Sequence, residues 1–200
     1  MVSFDVKNLN RSGLGNISVQ IGAGKCLAVT GPSGSGKTLF LRALADLDPS
    51  EGVVTLNGRD RADTPAPQWR RQIVYVPAEP GWWSDTVIDH FSDWKRAEPI
   101  IAALGLPADI ANAPVSRLST GERHPLALAR ALALAPAVML LDEPTGSLDA
   151  VATDAVETIL RQRLDDGMTL VLATHDEAQA ERFADQRLYL RDGQAAGPPP

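Results

Sequence analysis

Gly31, Pro32, Ser33, Gly34, Ser35, Gly36, Lys37 and Thr38 place three glycines, a lysine and a hydroxyl within one short loop. Without Cβ atoms at the glycines, the backbone can close around a phosphate chain and aim successive N–H groups at one anion. Lys37 suits the outer phosphates as a point charge, and the Thr38 hydroxyl suits one ligand position on Mg²⁺. Further along, the apolar run 137–141 ends in Asp142 and Glu143. Carboxylates rarely stand at the mouth of a buried strand for packing reasons. Beside a phosphate chain, Asp142 can hold the metal shell and Glu143 can polarise an attacking water. The plainer alternatives are a glycine turn without a ligand and a solvated turn leading into Pro144, Thr145 and Gly146.

These groups need elements to aim them. A strand over 26–30 feeds the glycine loop, and a helix from about Lys37 to Ala45 leads out, with the positive end of its dipole under the phosphates. The run 137–141 reads as a strand buried on both faces, and 169–173 and 187–191 complete a mainly parallel core. Residues 2–9, 17–21 and 53–56 alternate apolar and polar side chains and read as antiparallel strands beside the nucleotide. The expected fold is therefore α/β of the P-loop NTPase (RecA-like) type, with an antiparallel β subdomain. Residues 1–79 and 118–193 form the nucleotide-binding core, and 80–117, rich in Trp and Pro, form a small helical subdomain. The GPPP ending marks 194–200 as a frayed tail.

Phosphate loop and carboxylates alone define a class that includes kinases, GTPases and motors. The segment between them is more specific. LSTGERHPLALARALALAP, from Leu118, resembles the signature motif and following helix of ABC ATPases, which usually have LSGGQ or LSGGE. TGSLD at 145–149 is similar to the D-loop, and Thr174, His175 and Asp176 resemble the switch-histidine motif. The resemblance runs in order from Val2 to Gly193. It implies ATP and Mg²⁺ as cofactors, with Thr38 and Asp142 as metal ligands and Glu143 and His175 as catalytic residues. It also implies that Ser119 and the Gly121 N–H bind the γ-phosphate of a nucleotide held by a second subunit. Two chains, identical or related, would then dimerise head to tail around two ATP molecules. Asp149 would couple the two sites, or else simply cap the helix from Ala150. A structural role for His175 is the alternative to sensing the γ-phosphate.

The implied function is an ATP-hydrolysing transporter subunit, cytoplasmic and bound to the inner face of the membrane. It would drive a separate membrane protein through the 80–117 lobe. The lack of a further domain after Gly193 resembles compact exporter-type or metal-export ATPases. The alternative is a weakly hydrolysing, nucleotide-gated module not coupled to transport.

Several positions depart from the family pattern. Ala78, in VPAEP, stands where a glutamine is expected, so either Glu79 substitutes by a one-residue shift or hydrolysis runs without that ligand and more slowly. Thr120 replaces the first signature glycine and crowds the approach to phosphate. Pro125 falls inside the following helix and should cost about 3 kcal/mol or bend it. No aromatic residue lies between Asp5 and Ser35 to stack on a base, which leaves the guanidinium of Arg11 as a substitute. Trp82 and Trp83 are adjacent and cannot both enter one core easily, so at least one is expected near the surface. With Phe91 and Trp94 they would form a groove for a partner helix, or all four would pack the small lobe.

Composition narrows the classes further. A net charge of −6 argues against a nucleic-acid surface. A single cysteine, Cys26, excludes an internal disulfide and fits a reducing compartment. No stretch reaches the roughly 20 apolar residues of a membrane span. No long heptad segment interrupts the chain, which disfavours the coiled-coil DNA-repair branch of the superfamily.

Overall fold

A computed structural model describes residues 3–197. The start of the first expected strand at Val2 and the end of the tail at 198–200 lie outside the described residues. In chain order the elements are β1 (Ser3–Arg11), β2 (Leu14–Gly22), β3 (Cys26–Thr30), α1 (Lys37–Leu44), β4 (Glu51–Leu56), β5 (Arg59–Asp60), α2 (Ala66–Gln72) and β6 (Ile73–Val76). Then follow α3 (Trp94–Ala103), α4 (Thr120–Ala133), β7 (Val138–Asp142), α5 (Ala150–Asp165), β8 (Thr169–Ala173), α6 (Glu177–Phe183), β9 (Gln186–Arg191) and β10 (Gln194–Ala196).

Two sheets result. One is antiparallel in the order β2-β1-β4-β5, and the other runs β10-β9-β3-β8-β7-β6. In the second sheet β9, β3, β8, β7 and β6 are mutually parallel, and only β10 is antiparallel. Strands β3, β7 and β8 are buried at every position, which explains why they read as unbroken apolar runs. Their alternation divides the core into two layers. Leu27, Val29, Leu140 and Val171 face α1 and the antiparallel sheet, packing with Phe40, Leu41 and Phe4. Cys26, Met139, Leu141 and Leu172 face the opposite way, packing with Leu126, Ile159 and Leu160. Burial pushes the Cys26 thiol up to about 12, with the Asp185 carboxylate adding to the effect, so it stays protonated.

The register delivers the site. Ala173 pairs with both Val29 and Asp142, and Leu141 pairs with Val76. The carboxyl ends of four neighbouring strands are thereby level, and the loops that leave them open on one edge, where open α/β sheets bind ligands.

The lobe at 80–117 contains α3 and three 3₁₀ turns, at Val87–His90, Ala108–Asn112 and Val115–Arg117. Trp82, Phe91 and Trp94 pack against the core, whereas Trp83 is 68% exposed. The expected split of the tryptophan pair is thus observed. The Arg130 guanidinium lies over both rings, 5.0 Å from Trp82 and 4.6 Å from Trp83, and donates to the Gly81 carbonyl.

Pro125 lies inside helix α4, as the sequence places it, and is buried on the helix's apolar face. One difference from the sequence reading has a local cause. The tail does not fray at 194–196. Asp192 and Gly193 both adopt positive φ, 50° and 74°, the conformation of the tightest hairpin turns, so Gln194–Ala196 fold back on β9 as β10. The Asp-Gly pair was the sequence signal for this strand.

Candidate functional site

The glycine loop leaves β3 beside a crowded backbone. A Cβ at Gly31 would lie 2.1 Å from the Leu190 carbonyl oxygen of β9, and its φ of 140° suits glycine alone. Lys37 is buried, and its ammonium donates to the Gly31 and Pro32 carbonyls at 2.8 and 3.2 Å. These bonds fold the lysine over its own loop. The Ser35 hydroxyl is buried without a hydrogen-bond partner, an unmet polar group in a loop shaped for an anion.

Residues Ser33–Leu39 meet Ala78, Asp142 and Glu143 around a cavity of about 350 Å³. Asp142 Oδ2 accepts from the Thr38 hydroxyl at 2.7 Å and from the Tyr75 hydroxyl at 3.1 Å. Two hard oxygen donors therefore converge at the cavity edge, a donor set that fits Mg²⁺ with most of its waters retained. Tyr75 is a residue that sequence reasoning missed. Its phenol is pushed well above the usual range, first by burial and then by the neighbouring Asp142 carboxylate, so it stays a donor. The signal was a polar tip within the apolar run IVYV, one strand away from the carboxylates.

Glu143 stands at φ 50°, left-handed for a residue with a side chain, and donates its N–H to the Ala173 carbonyl at 2.9 Å. This tie to β8 holds the strained conformation. Its carboxylate accepts from His175 Nδ1 at 2.7 Å. A carboxylate only accepts, so Nδ1 carries the proton and Nε2 faces outward on a ring that is 72% exposed. The two candidate catalytic residues are thus paired across the ends of β7 and β8.

The remaining residues are arranged differently. Ser119 and Gly121 are exposed at the start of α4 and do not line the cavity. Ser119 forms a capping box with Glu122, whose carboxylate accepts from the Ser119 N–H and hydroxyl, each at 2.8 Å. Asp149 caps α5, accepting from the Ala152 N–H at 2.8 Å. Ala78, not Glu79, lies on the cavity wall; Glu79 is exposed. The Arg11 guanidinium is engaged by Asp48 rather than offered as a stacking plane.

Beneath the site a buried polar network joins the segments after β7 and β8. Gln179 donates to the Thr145 hydroxyl at 2.8 Å and to Glu157 at 3.3 Å, and Arg182 grips the Glu157 carboxylate at 2.6 and 2.8 Å.

A phosphate-binding loop, a hydroxyl–aspartate pair and a strained glutamate, all at the carboxyl ends of parallel strands, define a P-loop NTPase. Residues 14–146 match the family described as ABC transporter, and the chain belongs to that family. It is 35% identical over 201 residues to "Fe(3+) ions import ATP-binding protein FbpC 2" of Pectobacterium atrosepticum, an alignment covering 92% of this chain and 57% of that protein. The chain therefore spans little more than half the length of that relative. It is 36% identical to "Hemin import ATP-binding protein HmuV" of Streptomyces coelicolor, covering 94% of this chain and 72% of that one. The fold superimposes on a solved ATP binding subunit of an ABC transporter with a TM-score of 0.87 at 24% identity, over 97% of this chain and 88% of the other.

Proposed function

We propose that this chain binds ATP with Mg²⁺ and hydrolyses it as the motor subunit of a transporter. The observation that carries the proposal is the convergence of Thr38, Asp142 and Glu143 on the cavity beside the glycine loop. The N–H groups of 33–38 and the Lys37 ammonium hold the phosphates, with Lys37 exchanging its loop carbonyls for them. Thr38 and Asp142 hold the metal, which neutralises phosphate charge. Glu143 orients and polarises the attacking water, and His175 fixes the Glu143 carboxylate while its free Nε2 reaches toward the terminal phosphate.

Ser119 and Gly121 serve the nucleotide of a second copy or a related subunit, because both are exposed and stand away from the cavity of their own chain, with the Ser119 donors exchanging Glu122 for phosphate on association. Asp149 lies in the loop that would meet that partner. The membrane subunit docks on the 80–117 lobe, where Trp83 is exposed beside Arg130. Among the described residues no helix is long and apolar enough to cross a membrane. The chain then sits at the inner face of the cell membrane. Both import relatives weigh against the export-type resemblance. The Glu143–His175 pair weighs against a module that only binds nucleotide, since such a module needs no ordered base.

Affinity purification from detergent-solubilised cells, followed by mass spectrometry, tests the transport half of the proposal. A stoichiometric multi-span protein is the expected companion; soluble companions alone would overturn transport coupling.

A further inference from the structure

His124 lies in α4, five residues after Ser119 in the chain, and its ring touches three segments of the site at once. Nε2 is 2.6 Å from the Ala78 carbonyl oxygen, and Nδ1 is 3.1 Å from the Ser147 hydroxyl and 3.2 Å from the Thr120 carbonyl oxygen. A carbonyl only accepts, so Nε2 carries a proton and donates to Ala78; in that neutral tautomer Nδ1 accepts from the Ser147 hydroxyl, and the Thr120 carbonyl, also only an acceptor, is a contact without a hydrogen bond. Ala78 is on the cavity wall, and Ser147 belongs to the turn that follows Glu143. The histidine thus bridges the loop after β6 and the segment 144–149. The residue is also conformationally costly: it precedes Pro125 inside a helix, where the proline ring disfavours helical backbone. A helix surface alone gives no reason for a histidine there.

We propose that His124 is a positioning residue, which sets the Ala78 wall of the cavity against the Glu143 turn by holding one with each ring nitrogen. The backbone carbonyl at 78 thereby gives that loop a fixed link, although the alanine side chain cannot form one. This inference rests on the hydrolytic reading only for its kinetic consequence; the link itself is a property of the free chain.

The test uses His124→Ala, His124→Gln and His124→Asn in the full chain. A glutamine amide nitrogen falls near the place of Nε2, and an asparagine nitrogen near that of Nδ1. His124→Ala should lower kcat for ATP about tenfold with KM within about twofold, as expected when the reacting groups shift while the groups that bind the nucleotide stay in place. His124→Gln, which keeps the Ala78 bond, should recover most of that loss, and His124→Asn should not. In nucleotide-free protein, hydrogen exchange of His124→Ala should quicken both at the amides of Ala78 and Glu79 and at those of 145–149. Unchanged kcat, equal behaviour of the Gln and Asn variants, or faster exchange confined to the start of α4 would each overturn the proposal. Wild-type protein without ATP turnover would instead sink the hydrolytic reading, and the exchange experiment would then decide this one alone.

Discussion

The starts of helices α1 and α4 are built to opposite specifications. At the start of α1, Ser35 and Lys37 are buried, Thr38 is bonded to Asp142, and neighbouring strands press close enough to exclude a Cβ at Gly31. At the start of α4, Ser119, Thr120 and Gly121 are exposed, and the Ser119 donors turn inward to Glu122. Both use a helix N-terminus, the same physical device for an anion. One is surrounded by its own chain, and the other is open. The first can be organised by folding, while the second, under the proposed function, would become a site only on association.

The sharpest way to test this division is to damage each side separately. Glu143→Gln should lower ATP turnover by about 10²–10⁴ while leaving nucleotide binding intact, measured by steady-state hydrolysis and by binding of a fluorescent ATP analogue. Turnover equal to wild type would remove the enzymatic role of the built half. Lys37→Ala and Ser119→Arg should each be inactive alone, yet their mixture should regain activity. Half of the dimers formed are mixed, and each has one intact site of two, so about a quarter of the sites should work. A mixture as inactive as its parts would mean that the two halves do not meet across chains. Tyr75→Phe deletes one donor to Asp142 and should raise the Mg²⁺ concentration for half-maximal turnover about fivefold, the equivalent of ~1 kcal/mol. An unchanged metal requirement would separate Tyr75 from the metal ligand.

The smallest effect concerns the support behind α1. Asp48 is held down to about 2 from its ordinary 3.8, first by the hydrogen bond from Arg42 at the end of α1 and also by Arg11 of the first hairpin. A carboxyl whose folded value is depressed stabilises fully above its unfolded value and loses that contribution as pH falls through the folded one. Wild-type melting temperature should therefore drop between pH 3.8 and about 2 more steeply than that of Asp48→Asn. Parallel acid limbs for the two proteins would show that this tether adds no stability.

The built half was legible because its chemistry is local: eight consecutive residues specify the loop, and an apolar strand specifies where Asp142 and Glu143 must open. Asp149 was legible only as a choice between two roles, and its bond to Ala152 accounts for the cap alone. Tyr75 and His124 were missed because their partners lie at sequence separations of 67 and 46, and spacing rules see only neighbours. The substitution at Ala78 was visible as a loss, but its carbonyl as an acceptor was not, since every residue has one. Strand β10 was hidden because the composition of the tail outweighed a hairpin signal two residues earlier.

The turn at Asp192 and Gly193 also bears on how this protein can be watched at work. Its Gly193 carbonyl accepts from the Gly15 N–H at 2.7 Å, and its N–H donates to the Ser35 carbonyl at 3.0 Å. The first and last hairpins are thus wired to the glycine loop by single bonds through Gly193. An environment-sensitive dye on exposed Ala195 would serve as a loading gauge, because any rearrangement of Ser35 pulls on the turn beneath it. The same wiring makes this edge a poor place for a bulky tag and a good place for a small reporter.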